Sequence, residues 1–236
     1  GLTIRQAATS GIQDVLATVS QLKHYANIAR YLLARMLFND GMVGVLVFGG
    51  VYAAGTFDWD TISLLIFGLC TSVSAMIGAY IGGRIDDHLG SLVTLKVSVF
   101  MTCLILLALV SIQTDQIGFW FRVSTQPIWD FPYFTTLSEV VYFATNQVFA
   151  LFFVTALSAS RTLMAKICPP EKATQFFGLY GLSGSVTAFL APLLVATTTQ
   201  WFDSQRAGFA SLVVLIAVGG GMLFAVTDVR SETPTT

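Results

Sequence analysis

The residues best suited to chemistry are polar side chains set inside long apolar runs. Asp40 is the clearest case: 17 uncharged residues separate it from Asp58, and Arg35 is the nearest charge before it. An ionisable side chain at mid-bilayer costs about 2.5–3.5 kcal/mol on insertion scales, so it faces a cavity or a partner. With the apolar segment starting near Ala29, Asp40 is about 16 Å deep at 1.5 Å per residue. That is close to the midplane of a hydrocarbon core roughly 30 Å thick. Asn39-Asp40-Gly41 is turn chemistry placed within a span, so a helix break is expected there. Such a break survives only where protein or a water-filled cavity covers it, and mid-membrane breaks are a device by which transporters hold solute. Arg35 is the alternative partner, five residues earlier and imperfectly placed for contact on the same face.

A second polar set lies further along. Glu139, Tyr142 and Asn146 fall at i, i+3 and i+7 and project to one side of a helix. Asn146 and Gln147 are adjacent carboxamides near mid-span, costly against lipid. Tyr180, Ser183 and Thr187 form a milder polar stripe on the next span. Asp40, Asn39, Arg35, Asn146, Gln147, Tyr142 and Glu139 are therefore the expected substrate or proton site, lining one aqueous cavity from several helices. Interhelical hydrogen bonding, worth about 0.6 kcal/mol on average, is the alternative.

The elements that must position these residues are membrane spans. The chain has 236 residues, 55% hydrophobic and only 11% charged, against about 25% charged in soluble domains. Its formal net charge of −1 argues against nucleic-acid binding. Uncharged stretches of 17, 23, 18, 21, 30 and 21 residues start at Gly41, Thr61, Val97, Val140, Ala173 and Ala207. Each is of the order of the ~20 residues a crossing helix needs. Six spans are expected at roughly 29–54, 60–83, 92–113, 136–163, 174–199 and 207–228, giving an all-α membrane protein. Nine Lys and Arg residues fall on the side of the termini and two, Arg122 and Arg206, on the other. That bias places both termini in the cytoplasm.

Three segments are expected: an amphipathic helix over 1–25, the six-helix bundle over 26–230 and a tail over 231–236. The connection 114–135, rich in Phe, Trp and Tyr, reads as an outer-face loop resting on the membrane interface. Thr71, Ala75, Gly78 and Gly82 mark a packing face on the second span, and Gly178, Gly181 and Ser185 on the fifth. Pro192 should bend the fifth span, and Gly219-Gly220-Gly221 should loosen the sixth. The cysteines Cys70, Cys103 and Cys168 form neither a disulfide framework nor a metal cluster. No cofactor or metal is expected. The sequence holds no phosphate-loop or G-x-S-x-G motif and no His-rich cluster, so an enzyme is not expected.

Gly83-Arg84-Ile85-Asp86-Asp87-His88-Leu89-Gly90 resembles the G-x-x-x-D-x-x-G loop of the major facilitator superfamily. Leu33–Gly41, Phe48–Ala53, Ser160–Met164, Pro169–Lys172 and Phe176–Gly184 resemble the vacuole-effluxer family within it, which comprises autophagy-related amino-acid effluxers of fungal vacuoles and bacterial relatives. The resemblance implies the C-terminal half of a twelve-helix fold built from two inverted three-helix repeats. It implies a secondary transporter of small solutes, amino acids among them, in a bacterial plasma membrane. A non-transporting scaffold or sensor that keeps the bundle is the alternative. It also implies a gate at Gly83, Arg84, Asp87 and Gly90, with the Asp87 carboxylate pairing with a helix end or a basic residue. Ser91 and Leu92 replace the basic residues that normally follow the second glycine. The chain begins at Gly1 rather than Met, so an upstream six-helix half in the same polypeptide is expected as partner, beside the solute and the bilayer.

Overall fold

The computed structural model describes residues 25–228. The expected amphipathic helix over 1–25 lies outside the described residues except for Tyr25, and so does the tail. Among the described residues the chain is almost wholly helical: α1 (Ala26–Phe57), α2 (Thr61–Leu89), α3 (Ser91–Ser111), α4 (Leu137–Ile167), α5 (Ala173–Ser183), α6 (Leu190–Phe202) and α7 (Gln205–Met222). Short 3-10 turns at Pro170–Lys172 and Leu223–Ala225 flank the later helices. The 114–135 connection carries a two-stranded antiparallel hairpin, β1 (Gln116–Ile117) and β2 (Phe121–Arg122). Trp120 at its tip is 84% exposed.

Helix ends are set by ordinary capping chemistry. The Asp60 carboxylate accepts the Ser63 N–H at 2.8 Å and starts α2. A reciprocal capping box between Thr136 and Glu139 starts α4. Gly90, at φ +85°, is the single residue between α2 and α3, a left-handed position where a side chain would be strained.

Five helices are long and apolar enough to cross a membrane: α1, α2, α3, α4 and α7 with its 3-10 extension. The fifth expected span is two half-helices, α5 and α6, separated by the turns at 184–189. The interruption therefore lies upstream of Pro192 rather than being a bend at it. Pro192 is the third residue of α6 and has no N–H to give the Ala188 carbonyl; its ring also crowds that carbonyl. The helix consequently restarts at Leu190.

The break expected at Asn39-Asp40-Gly41 does not occur, because α1 runs unbroken through it. Gly41 serves close packing instead: a Cβ there would lie 2.7 Å from Ile216 Cγ1 on α7. The gate loop is likewise mostly helix, with α2 continuing to Leu89. The three glycines of the last span do not interrupt α7, and a Cβ at Gly219 would strike the backbone of Ala34 and Phe38. Gly78 and Gly82 pack α2 onto α4 as expected. A Cβ at Gly78 would sit 2.6 Å from Leu151 Cα, and Thr155 Oγ1 donates to the Gly78 carbonyl at 3.1 Å. Gly178 and Gly181 meet nothing, so the packing face expected on the fifth span stays open.

The helices pair as α1 with α7, α2 with α4, α3 with α4 and with α7, and α6 with α7. The first helix of each triplet thus packs on the third of the other, the arrangement of half a major facilitator fold. Phe38, Met42, Leu106, Phe149, Phe209 and Ile216 fill the centre. Helix α2 turns Leu65, Leu69 and Met76 outward, which only an apolar surrounding makes favourable.

Candidate functional site

The site is built where α1 crosses the gap between α5 and α6. Ending α5 leaves its last carbonyls without helical donors, and starting α6 leaves its first N–H groups without acceptors. Both deficits are met from α1. Arg35 Nη1 donates to the Tyr180 carbonyl at 2.9 Å and to Ser183 Oγ at 2.6 Å. Its guanidinium carbon lies 3.7 Å from the Tyr180 ring centroid. Asp40 Oδ2 accepts the Ala191 N–H at 2.9 Å. Between them Thr187 Oγ1 donates to the Met36 carbonyl at 3.0 Å. A cation thus meets the negative end of α5 and an anion the positive end of α6, the favourable sense at both.

Arg35 and Asp40 do not pair with each other, since each reaches across to a helix end. Asp40 is 5% exposed. With Asn39, Gly184, Ala188 and Pro192 it lines a pocket of about 100 Å³. The break that turn chemistry suggested on α1 is on its neighbour, and the carboxylate caps it. A network beneath continues the bracket: Tyr31 Oη is 2.6 Å from Ser160 Oγ, which is 3.1 Å from Tyr180 Oη. Tyr31 and Ser160 are aromatic and hydroxyl side chains that no spacing in the sequence singles out.

The second set forms a separate cluster, not a continuation of the first. Tyr142 Oη donates to the Gly49 carbonyl at 2.8 Å, and Asn146 Nδ2 donates to Thr71 Oγ1 at 3.0 Å. Gln147 Oε1 accepts from Ser74 Oγ at 2.9 Å, while its Nε2 is buried without a partner. Glu139 is held at the α4 start by the capping box and accepts the Trp59 Nε1–H at 3.1 Å. Asn146 lines a cleft of about 520 Å³ between α1, α2 and α4. Asn39 and Asp40 open instead onto the pocket beside α6, and Val47 on α1 borders both spaces. Among the described residues the two polar sets thus open onto different spaces on either side of Val47.

At the α2–α3 junction Asp86 is buried with Oδ1 unpartnered, whereas Asp87 is exposed. Arg84 stacks over Tyr80 at 4.6 Å. The carboxylate expected to pair at the gate is thus outside the packed interior, and its neighbour occupies the buried position, because the helix continues to Leu89 and turns Asp86 inward.

The profile of a family described as vacuole effluxer Atg22 like matches residues 3–234. The chain belongs to this family. The uncharacterized MFS-type transporter YxiO of Bacillus subtilis (strain 168) is 24% identical over 214 residues, covering 91% of this chain and 44% of that protein. Autophagy-related protein 22 of Cryptococcus neoformans var. neoformans serotype D is 23% identical over 198 residues, covering 84% of this chain and 33% of that protein. The chain thus spans less than half the length of these family relatives. The family and its helices together make it an integral, multi-pass membrane protein.

Proposed function

We propose that the chain is the C-terminal half of a secondary transporter that moves small solutes, amino acids among them, by alternating access. The observation that carries this reading is the interrupted α5–α6 element, seated on Arg35 and Asp40 of α1. Interrupted helices held by polar groups at membrane depth are how transporters combine a binding site with a moving part. Two charged side chains at membrane depth carry a desolvation cost, and both are placed at the one interrupted span. Both termini face the cytoplasm in this reading, in a bacterial plasma membrane. An upstream six-helix half of the same polypeptide covers the open Gly178 and Gly181 face of α5. Arg84, Asp86 and Asp87 bias the access state at the α2–α3 junction.

The test is reconstitution of the full-length protein in proteoliposomes loaded with a radiolabelled amino-acid panel. At least one amino acid is expected to leave faster than from protein-free liposomes. No acceleration for any member, with gradient direction and pH varied, would overturn the reading in favour of a non-transporting scaffold.

A further inference from the structure

Asn146 is 4% exposed and lines the 520 Å³ cleft between α1, α2 and α4. Its orientation is dictated by its neighbour. Thr71 Oγ1 donates its only proton to the Phe67 carbonyl at 2.7 Å, so towards Asn146 it can act only as an acceptor. The Asn146 NH2 group therefore faces Thr71, at 3.0 Å, and Oδ1 is turned away. Among the described residues Oδ1 accepts no hydrogen bond. It lies over Gly49, where a Cβ would be 3.8 Å away. The walls of the cleft are apolar, with Val47, Val51, Leu64 and Phe67 prominent, and none of the side chains lining it is charged. Its volume is within the ~300–1,000 Å³ range of small-molecule sites.

We infer that this cleft is a subsite for an uncharged solute group with an apolar body and one N–H or O–H donor, the donor going to Asn146 Oδ1. An ionic group would lose its hydration here without meeting an opposite charge. A hydrocarbon would leave Oδ1 unpaired, and that penalty is the source of selectivity. Thr71 is a positioning residue, because it fixes which end of the carboxamide is presented. The inference deepens the transporter reading and rests on it for the term solute, but the subsite is tested by binding alone.

The probes are indole and 1-methylindole, which share an apolar body and differ in the N–H donor. Each is titrated calorimetrically into the full-length protein in nanodiscs, with empty nanodiscs subtracted. Indole should bind roughly ten-fold more tightly than 1-methylindole. Asn146→Leu should bring the ratio close to one. Thr71→Val, at a second position on the cleft wall, frees the carboxamide to turn and should lower the ratio without abolishing indole binding; it also keeps the test decisive if Asn146→Leu fails to fold. Equal binding of the two probes in the unaltered protein would overturn the subsite and leave an apolar groove for acyl chains. A preference for indole that survives the variants would overturn the role of Asn146. Proteoliposomes that move no solute would sink transport and leave this result standing.

Discussion

Arg35 and Asp40 stand five residues apart on α1, about 7.5 Å along the helix axis, and each reaches a different end of the α5–α6 interruption. Neither side chain could serve both ends. The Asp40 role is as an acceptor for Ala191 N–H, so Asp40→Asn, which keeps an acceptor oxygen, should hold the melting temperature in detergent within a few degrees. Asp40→Ala removes it and leaves a buried N–H unpaired, a loss of about 1–3 kcal/mol visible as a clearly lower melting temperature. Equal melting of the two variants would show that the cap contributes nothing. Sequence reasoning reached both residues, because a charge at membrane depth is conspicuous whatever surrounds it. It also reached Tyr180, Ser183 and Thr187 as a polar stripe on the fifth span, but not the backbone groups that complete the bracket. Ala191 takes part through its backbone N–H, which has no side-chain signature, and Tyr180 through a carbonyl as well as its ring.

The break itself belongs to the scale of elements. Pro192 was visible in the sequence and its effect was not, since a proline can kink a helix or end it. Here it coincides with Gly184 and with capping groups from another helix. The Asn39-Asp40-Gly41 turn signal failed for the converse reason: Gly41 is needed for close packing on α7, and the α1 backbone bonds are kept. Close approach also governs α2. Gly78→Ala would drive a methyl group into the Leu151 backbone of α4 and should cost about 1–3 kcal/mol, read as a lower melting temperature. Gly68→Ala, on the same helix with nothing near it, is the control and should not lower melting, since alanine is the better helix former. At the start of α2, hydrogen bonding to Ser63 holds the Asp60 carboxyl below the usual carboxylate range. A lowered value means the ionised form supports the helix above the ordinary carboxylate range and loses that support as pH falls through the lowered value. Asp60→Ala should therefore speed amide exchange at residues 61–64 near neutral pH, after correction for intrinsic rates. The difference from the unaltered protein should shrink under strongly acidic conditions. A difference independent of pH would assign the cap to shape alone.

At the scale of the whole molecule, the approximate place of five of the six expected spans was legible because lipid leaves a coarse, additive imprint on composition, while the fifth is split into two short helices. The way the segments meet was not legible, because helix pairing depends on which small residues find a partner: Gly78 and Gly82 do, and Gly178 and Gly181 do not. The charge bias predicts a definite orientation. Single cysteines placed at Ser124, in the α3–α4 connection, and at His88, near the α2–α3 junction, test it in intact bacterial cells with a cysteine-free full-length background. A membrane-impermeant maleimide should label the first and spare the second, and the reverse pattern would invert the topology. The exposed Trp120 and Trp201, at 84% and 82%, would then sit at the outer interface. The central claim is that the α5–α6 break and its α1 bracket are a working part and not only architecture. The most direct measurement is the initial efflux rate per reconstituted molecule for the unaltered full-length protein and for Asp40→Asn, at matched melting temperature. The account predicts a loss of at least ten-fold with the fold preserved; efflux at the unaltered rate would contradict it.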